Sequence, residues 1–385
     1  MVMYLGTFAV SFGLALYGDS LRKKKNMRGF ALCMILAVLA AAVLAGLRDV
    51  TVGTDSVSYW KWEIDARYVD NFAQCLKKGS PSEPLFMVLV YAAGKYLGCV
   101  QWLYFLASLI GCGFAMAAFV WMRDAVSIPY AWVSYLFLFY GHSLNGTRQA
   151  IAMTIVLLAL FMAMRGKYLW YVILTVLAYG FHNSAVLSVG FLALYLILKK
   201  WNTLPVKAVL VGGMIAAVVC YEPLFLFLAN IGLVSSRFAT YLKISSVHFS
   251  LNPILVRLPF FLLVLFFYRD FAKEEKTEHD TFRKSDADFL VIMMIADMIT
   301  AELRIISVPI YRVSLYFSVF RCMAIGRVLH VLKKDPERKN WARLVAVGVV
   351  ALLVVIWLYQ VVLKGNDGIY PYTSRILHIG RETLI

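Results

Sequence analysis

The chain has 385 residues, 62% of them hydrophobic and only 16% charged, with a mean hydropathy of +0.75. Soluble domains carry about 25% charged residues, so this chain has too little polar surface to coat a globule in water; disordered, collagen-like and soluble nucleic-acid-binding classes are excluded. The basic excess, 38 − 22 = +16, gathers in short runs between apolar segments, the pattern of cytoplasmic loops and not of a nucleic-acid partner.

The composition predicts an all-α, polytopic helical membrane protein. Its apolar segments, in chain order, are 2–17, 30–47, 84–98, 102–121, 128–141, 147–164, 168–182, 183–198, 206–221, 251–268, 286–303, 305–330 and 343–363. Each meets or slightly undershoots the roughly 20 residues a span needs. Arg22-Lys23-Lys24-Lys25 with Arg28 assigns 18–29 to the cytoplasmic side, so the N-terminus and loop 48–83 fall outside. Segments 165–167, 199–205, 269–285 and 331–342 are inside by the same rule. That leaves 142–147, the 182–183 turn, 222–250, 303–305 and the tail 364–385 outside. Two outer termini require an even number of crossings, so one of the thirteen segments does not cross. The expectation is about 12 transmembrane helices plus one re-entrant or interfacial segment, 84–98, which is short and opens on Glu83-Pro84. The whole of 1–385 reads as a single integral membrane domain, with loops 48–83 and 222–250 and tail 364–385 building an external site. The basic run follows the first apolar stretch, so no cleavable signal peptide is expected. The six cysteines have no metal-like spacing, and neither a metal nor a cofactor is expected.

The outer side collects polar residues. Arg48-Asp49, Thr54-Asp55 and Tyr59-Trp60-Lys61-Trp62-Glu63 set guanidinium, carboxylates and aromatic rings together. Such a set suits a phosphate-plus-sugar ligand, because guanidinium forks bind phosphate bidentately; an interfacial aromatic belt has the same composition. Asn145-Gly146-Thr147-Arg148-Gln149 opens the 147–164 span, where an arginine opposes the helix dipole and an anion would complement it; a snorkelling arginine is the alternative. His182 occupies a tight outer turn as either a base or a structural hydrogen-bonder. Arg237 and Tyr241 are four apart, as are Arg312 and Tyr316. Arg304 has Asp297 as a candidate structural partner, and Arg321 and Arg327 read as snorkelling anchors. Arginines with few acids beside them concentrate anions, which points to a lipid-accessible, strongly anionic ligand such as a polyprenyl pyrophosphate-linked sugar.

The motifs resemble the EpsG family of exopolysaccharide and capsule polymerases. The elements are Leu47-Arg48, Val52-Gly53-Thr54-Asp55, Tyr59, Glu83-Pro84, Asn145-x-x-Arg148-Gln149-x-Ile151-Ala152, Phe181-His182-Asn183-Ser184-Ala185, Arg237-Phe238-x-x-Tyr241, Arg312-Val313-x-x-Tyr316-Phe317 and Tyr370-Pro371-Tyr372. They cover essentially the whole chain; Asn183 departs from the threonine or similar small residue commoner there. The resemblance implies a Wzy-like polymerase in the bacterial cytoplasmic membrane. Such a protein transfers a growing glycan from undecaprenyl pyrophosphate onto a lipid-linked repeat unit at the outer face. The implied partners are undecaprenyl pyrophosphate-linked oligosaccharides, membrane lipids, a chain-length regulator and a flippase. In that reading Arg48, Arg148, Arg237, Arg304 and Arg312 hold the pyrophosphate. His182 or Asp55 is the base, His182 being favoured because histidine as a residue type titrates closest to neutral pH. Sugar or acceptor contacts fall to Tyr59, Trp60, Trp62, Glu83, Asn145, Gln149, Tyr241, Tyr316, Tyr370 and Tyr372. A flippase or transporter would show internal repeats and a polar midplane; the chain has no repeat and only Asp297 there. An outward-facing ligase or acyltransferase is the other enzymatic alternative.

Overall fold

The computed structural model describes residues 1–230, 251–276, 281–301 and 311–380. Arg237, Tyr241 and Arg304 lie outside them. The described residues are mostly helical, with a two-residue antiparallel ladder, Glu275–Lys276 with Thr281–Phe282, and a β-bridge between Ser374 and Ile379. Among the described residues seven helices are long and apolar enough to cross a membrane: α1 (Val2–Lys23), α2 (Met27–Gly46), α6 (Val100–Trp121), α9 (Thr147–Met164), α11 (Asn183–Lys200), α17 (Arg312–Lys334) and α18 (Lys339–Leu363). The protein is a polytopic helical membrane protein. Five shorter apolar helices lie among them: α5 (Pro84–Leu97), α7 (Ile128–Leu138), α10 (Tyr168–Phe181), α12 (Leu204–Val219) and α14 (Asn252–Phe266). At 1.5 Å per residue α5 is about 21 Å long, short of a hydrocarbon core of about 30 Å.

The expected loops contain structure of their own. Residues 48–83 form α3 (Ser56–Tyr68) and α4 (Phe72–Lys78), and 222–230 continue a helix, α13, from Tyr221 to Asn230. Local chemistry places these ends. Asn71 caps α4 by accepting from the Gln74 N–H at 3.1 Å. Pro84 sits at the first turn of α5, where its missing N–H costs nothing. Gly94 in α5 lets that helix lie against α3, since a Cβ there would collide with the Glu63 carbonyl.

The chain divides into two compact units, Met1–Ser188 with Leu332–Ile385, and Val189–Val331, where the sequence reads as one unbroken array. In the first unit α1, α2, α6, α9 and α10 pack in succession, with α7 against α1 and α18. Helix α9 is buried along nearly its whole length. The core is aromatic: Tyr4, Phe8, Phe137 and Trp357 stack edge-on or tilted at 5.1–6.5 Å. Two polar tips close to it are satisfied, Trp132 Nε1 by Ser11 Oγ at 2.8 Å and the Tyr140 hydroxyl by the Ala41 carbonyl at 2.7 Å.

The second unit is organised around α16 (Lys284–Thr300), against which α12, α14 and the first turns of α17 pack. Its centre is Asp297, bonded by Arg257 Nε at 2.7 Å and Arg321 Nε at 2.9 Å. Two expectations are corrected here, those for Arg321 and Arg327; a pairing of Asp297 with Arg304 lies outside the described residues. Arg321 is buried beside Asp297 instead of reaching to the membrane surface. Arg327 is no snorkelling anchor either: it is fully buried, donates to the Phe271 and Lys273 carbonyls and lies 4.0 Å over the Phe282 ring. A guanidinium has five donors in a planar fork, so backbone carbonyls and a ring face satisfy it without water.

Candidate functional site

The first unit gathers three residues that are far apart in sequence. Glu83, the residue before Pro84, is buried, and its carboxylate is shared: Oε1 accepts from His182 Nδ1 and Oε2 from Arg148 NH1. Ser80 Oγ adds a third bond to Oε2 at 3.0 Å. Only 5% of the Glu83 side chain is exposed, against 22% for Arg148 and 25% for His182. The carboxylate is therefore the buried anchor, and the cation and the imidazole are the faces presented outward. Burial alone would raise the Glu83 carboxyl, but the His182 hydrogen bond and charge, the Arg148 charge and Ser80 outweigh it and hold the group below its usual range.

Each member reaches this point for a local reason. The Glu83 N–H bonds the Ser80 carbonyl at 3.1 Å in the turn before α5. His182 ends α10, its N–H bonding the Ala178 carbonyl while its backbone turns extended before α11. Arg148 lies in the first turn of α9 with its guanidinium carbon 5.2 Å from the Trp62 ring and 5.9 Å from that of Tyr59. The rings compensate the cation as it leaves water.

Asn145 is the hub that ties the 48–55 segment to this place. Its Oδ1 accepts from Thr54 Oγ1 at 2.9 Å and from the Asp55 N–H at 2.8 Å, and its Nδ2 donates to Asp367 Oδ1 at 3.3 Å. Its carbonyl accepts from the Tyr59 hydroxyl at 3.2 Å. With both ends of its amide engaged, Asn145 holds the site together. Tyr59 and Tyr372 are buried, and their hydroxyls donate to backbone carbonyls, Tyr372 to Leu44 at 2.9 Å.

Among the other expected residues, Trp62 is half-buried against Arg148 and Trp60 is exposed on α3. Asp55 is half-buried and Gln149 buried; Tyr370 is exposed. Arg312, half-buried, and Tyr316, buried, belong to the second unit. Arg48 is buried in the first unit, its guanidinium 4.2 Å over the Tyr104 ring.

Sequence reasoning passed over Ser80, Tyr104, His142 and Asp367. His142 Nδ1 lies 3.4 Å from Asp367 Oδ1, and its ring packs on Gly146, where any Cβ would collide with it. The signal for Asp367 lay in the Gly365-Asn366-Asp367-Gly368 turn, a sharp bend in a tail otherwise read as a polar connection.

The sequence model of the EpsG family matches residues 31–374. The chain belongs to the EpsG family, which makes it a membrane protein of the polysaccharide-polymerase type. No curated protein and no solved structure matches it.

Proposed function

We propose that the protein is a Wzy-like polymerase at the outer face of the cytoplasmic membrane. It transfers a growing glycan from undecaprenyl pyrophosphate onto the terminal sugar of a lipid-linked repeat unit, with the loops at 48–83 and 182–183 and the tail on the outer side. The observation that carries this reading is the Glu83 carboxylate shared by His182 and Arg148. Glycosyl transfer from a pyrophosphate needs a base for the acceptor hydroxyl and a cation for the departing diphosphate. Glu83 provides for both with one side chain.

The Glu83 bond uses the Nδ1–H of His182, so a neutral imidazole keeps its lone pair on Nε2, the arrangement of a base oriented by a third group. Nε2 takes the acceptor proton as the acceptor oxygen bonds to the donor anomeric carbon. The bond from that carbon to the pyrophosphate oxygen breaks, and the electron pair leaves with the diphosphate. Arg148, held by Glu83 and flanked by Trp62, stands beside the base to meet the developing charge. Trp60 and Trp62 offer ring faces to sugar. Asp55 is the acceptor-orienting carboxylate.

The test is the purified chain in nanodiscs with one defined lipid-linked repeat unit. A ladder of lipid-linked glycans of increasing length is expected. Recovery of the unit unchanged on the opposite leaflet would replace the polymerase with a transporter, and product only with a foreign acceptor would replace it with a ligase.

A further inference from the structure

Arg48 follows α2 at the start of the outer segment and is 1% exposed. Its Nε and NH1 are buried, and among the described residues neither has a hydrogen-bond partner. No carboxylate among those residues pairs with it; that of its neighbour Asp49 accepts instead from the Arg375 N–H at 2.9 Å. Every other deeply buried arginine described above has carboxylate or carbonyl acceptors. A buried guanidinium without acceptors is costly, and such a group in a folded protein calls for an explanation.

The surroundings offer it ring faces and little else. Tyr104 lies beneath it, and Tyr4, Tyr59 and Tyr140 are close enough to interact electrostatically. All four phenols donate elsewhere, to the carbonyls of Ser56 at 2.9 Å, Ile369 at 2.8 Å, Asn145 at 3.2 Å and Ala41 at 2.7 Å. The cage is thus rigid, positive and short of acceptors. Its outer cover is the tail. Ser374 Oγ bonds the Leu47 carbonyl at 2.5 Å, Asp49 N–H the Thr373 carbonyl at 3.0 Å, and Gly53 N–H the Gly368 carbonyl at 2.8 Å. The residues on either side of Arg48 are therefore both tied to 373–375, by a few bonds partly open to water.

We propose that Arg48 is the buried cation of an anion subsite that takes a phosphate or pyrophosphate group, and that residues 366–375 are the strap that opens to admit it and closes over it. A buried guanidinium with N–H donors to spare suits the oxygens of a phosphate, which accept charge-assisted hydrogen bonds from it. A pyrophosphate can engage Arg48 with one phosphate and leave the other toward Tyr59, whose ring also flanks Arg148. The identification of the natural anion as a lipid-borne pyrophosphate rests on the polymerase reading; the subsite itself does not.

The experiment is amide hydrogen exchange on the full chain in phosphatidylcholine nanodiscs. One arm carries inorganic pyrophosphate and the other carries polyprenyl pyrophosphate in the bilayer. Slowed exchange at 47–54 and 366–375 is expected, saturable in ligand. Protection by both forms assigns a free or lipid-borne anion, and protection by the lipid form alone assigns the headgroup. Arg48→Met, which keeps the bulk and removes the charge, should weaken the protection at least tenfold in ligand concentration, and Arg48→Lys should weaken it less. Equal protection in Arg48→Met, or none in the wild type, overturns the subsite. If Arg48→Met does not insert, Arg48→Lys and the wild-type map decide by the same criteria. A wild-type protein that binds pyrophosphate here and makes no polymer would sink the polymerase reading and leave the subsite standing.

Discussion

Each of the two units contains a buried carboxylate held by two nitrogen-bearing side chains, and the difference between them separates chemistry from architecture. Asp297 is 1% exposed and its partners Arg257 and Arg321 are 3% and 7% exposed. Arg257 is further bonded to the Pro253 carbonyl at 2.7 Å and the Tyr311 hydroxyl at 3.2 Å, and the Ser318 hydroxyl reaches the same Asp297 carboxylate. Every group in that cluster is turned inward to another helix. Glu83 is as deeply buried, but its partners are a quarter exposed, and one of them is a histidine. A carboxylate between two sealed arginines fastens α14, α16 and α17. A carboxylate behind an open arginine and an open imidazole orients two groups toward something that arrives from outside.

That contrast can be broken most sharply at His182. Glutamine there keeps a hydrogen bond but takes no proton, so turnover should fall about 100- to 10,000-fold, the usual worth of a general base. Binding of the lipid-linked unit should change little, because the lost interaction belongs to the transition state. Near-normal turnover would make His182 a structural turn residue and move the base to Asp55. In the second unit the expected loss is of stability. Asp297→Asn leaves two buried guanidinium groups facing a neutral amide, and breaking a buried pair costs about 3–5 kcal/mol. The readout is the thermal midpoint in detergent, with turnover per folded molecule retained. A variant that melts like the wild type and has lost turnover would reverse the roles assigned to the two carboxylates.

Arg148→Lys tests the open cation. It keeps the charge and loses the planar fork. One weakened charge-assisted contact of about 1.5–3 kcal/mol corresponds to roughly 10- to 150-fold in rate. Wild-type rates with the glycan ladder intact would reduce Arg148 to a counter-ion for Glu83.

Much of this was legible in the sequence, and the parts that were not have a common cause. Membrane class and helical content follow from composition, and Glu83, Arg148 and His182 each stand in a recognisable short motif. Their convergence was not legible, because Glu83 lies 65 residues from Arg148 and 99 from His182 and no helical or strand period spans such distances. Glu83 accordingly read as an acceptor contact and not as the shared anchor. The same holds for the packing of Tyr59 and Tyr372: that their hydroxyls end on the Asn145 and Leu44 carbonyls, 86 and 328 residues away, has no local signature. Arg321 and Arg327 were misplaced because a basic residue near a helix end has one local signature whether it snorkels or turns inward to Asp297 or to the Phe271 carbonyl. The number of crossings escapes for another reason. Apolar helices of 10–17 residues such as α5 and α10 are shorter than an ordinary span, and length no longer decides what they do.

The smallest expected effect is that of pH on the open cluster, and its sign follows from Glu83. His182 and Arg148 hold the Glu83 carboxyl below its ordinary value of 4.5 against the opposing effect of burial. A carboxyl depressed in the fold contributes stability that is complete above its unfolded value and is lost as pH falls through its folded value. The contribution of Glu83 to the thermal midpoint should therefore be complete and constant between about pH 8 and pH 5 and should begin to be lost only below about 4.5. Glu83→Gln should start lower at neutral pH, because the imidazole and the guanidinium lose their anion, and the acid-side loss that belongs to Glu83 should disappear. Comparing the two melting curves across pH 4–8 in the same nanodiscs isolates the contribution. A wild-type loss centred near pH 6 that Glu83→Gln abolishes would mean that burial prevails over the bonds from His182 and Arg148. Glu83 would then be protonated under working conditions, unable to fix the His182 tautomer as an acceptor, and the open cluster would have to be read as architecture, like the one around Asp297.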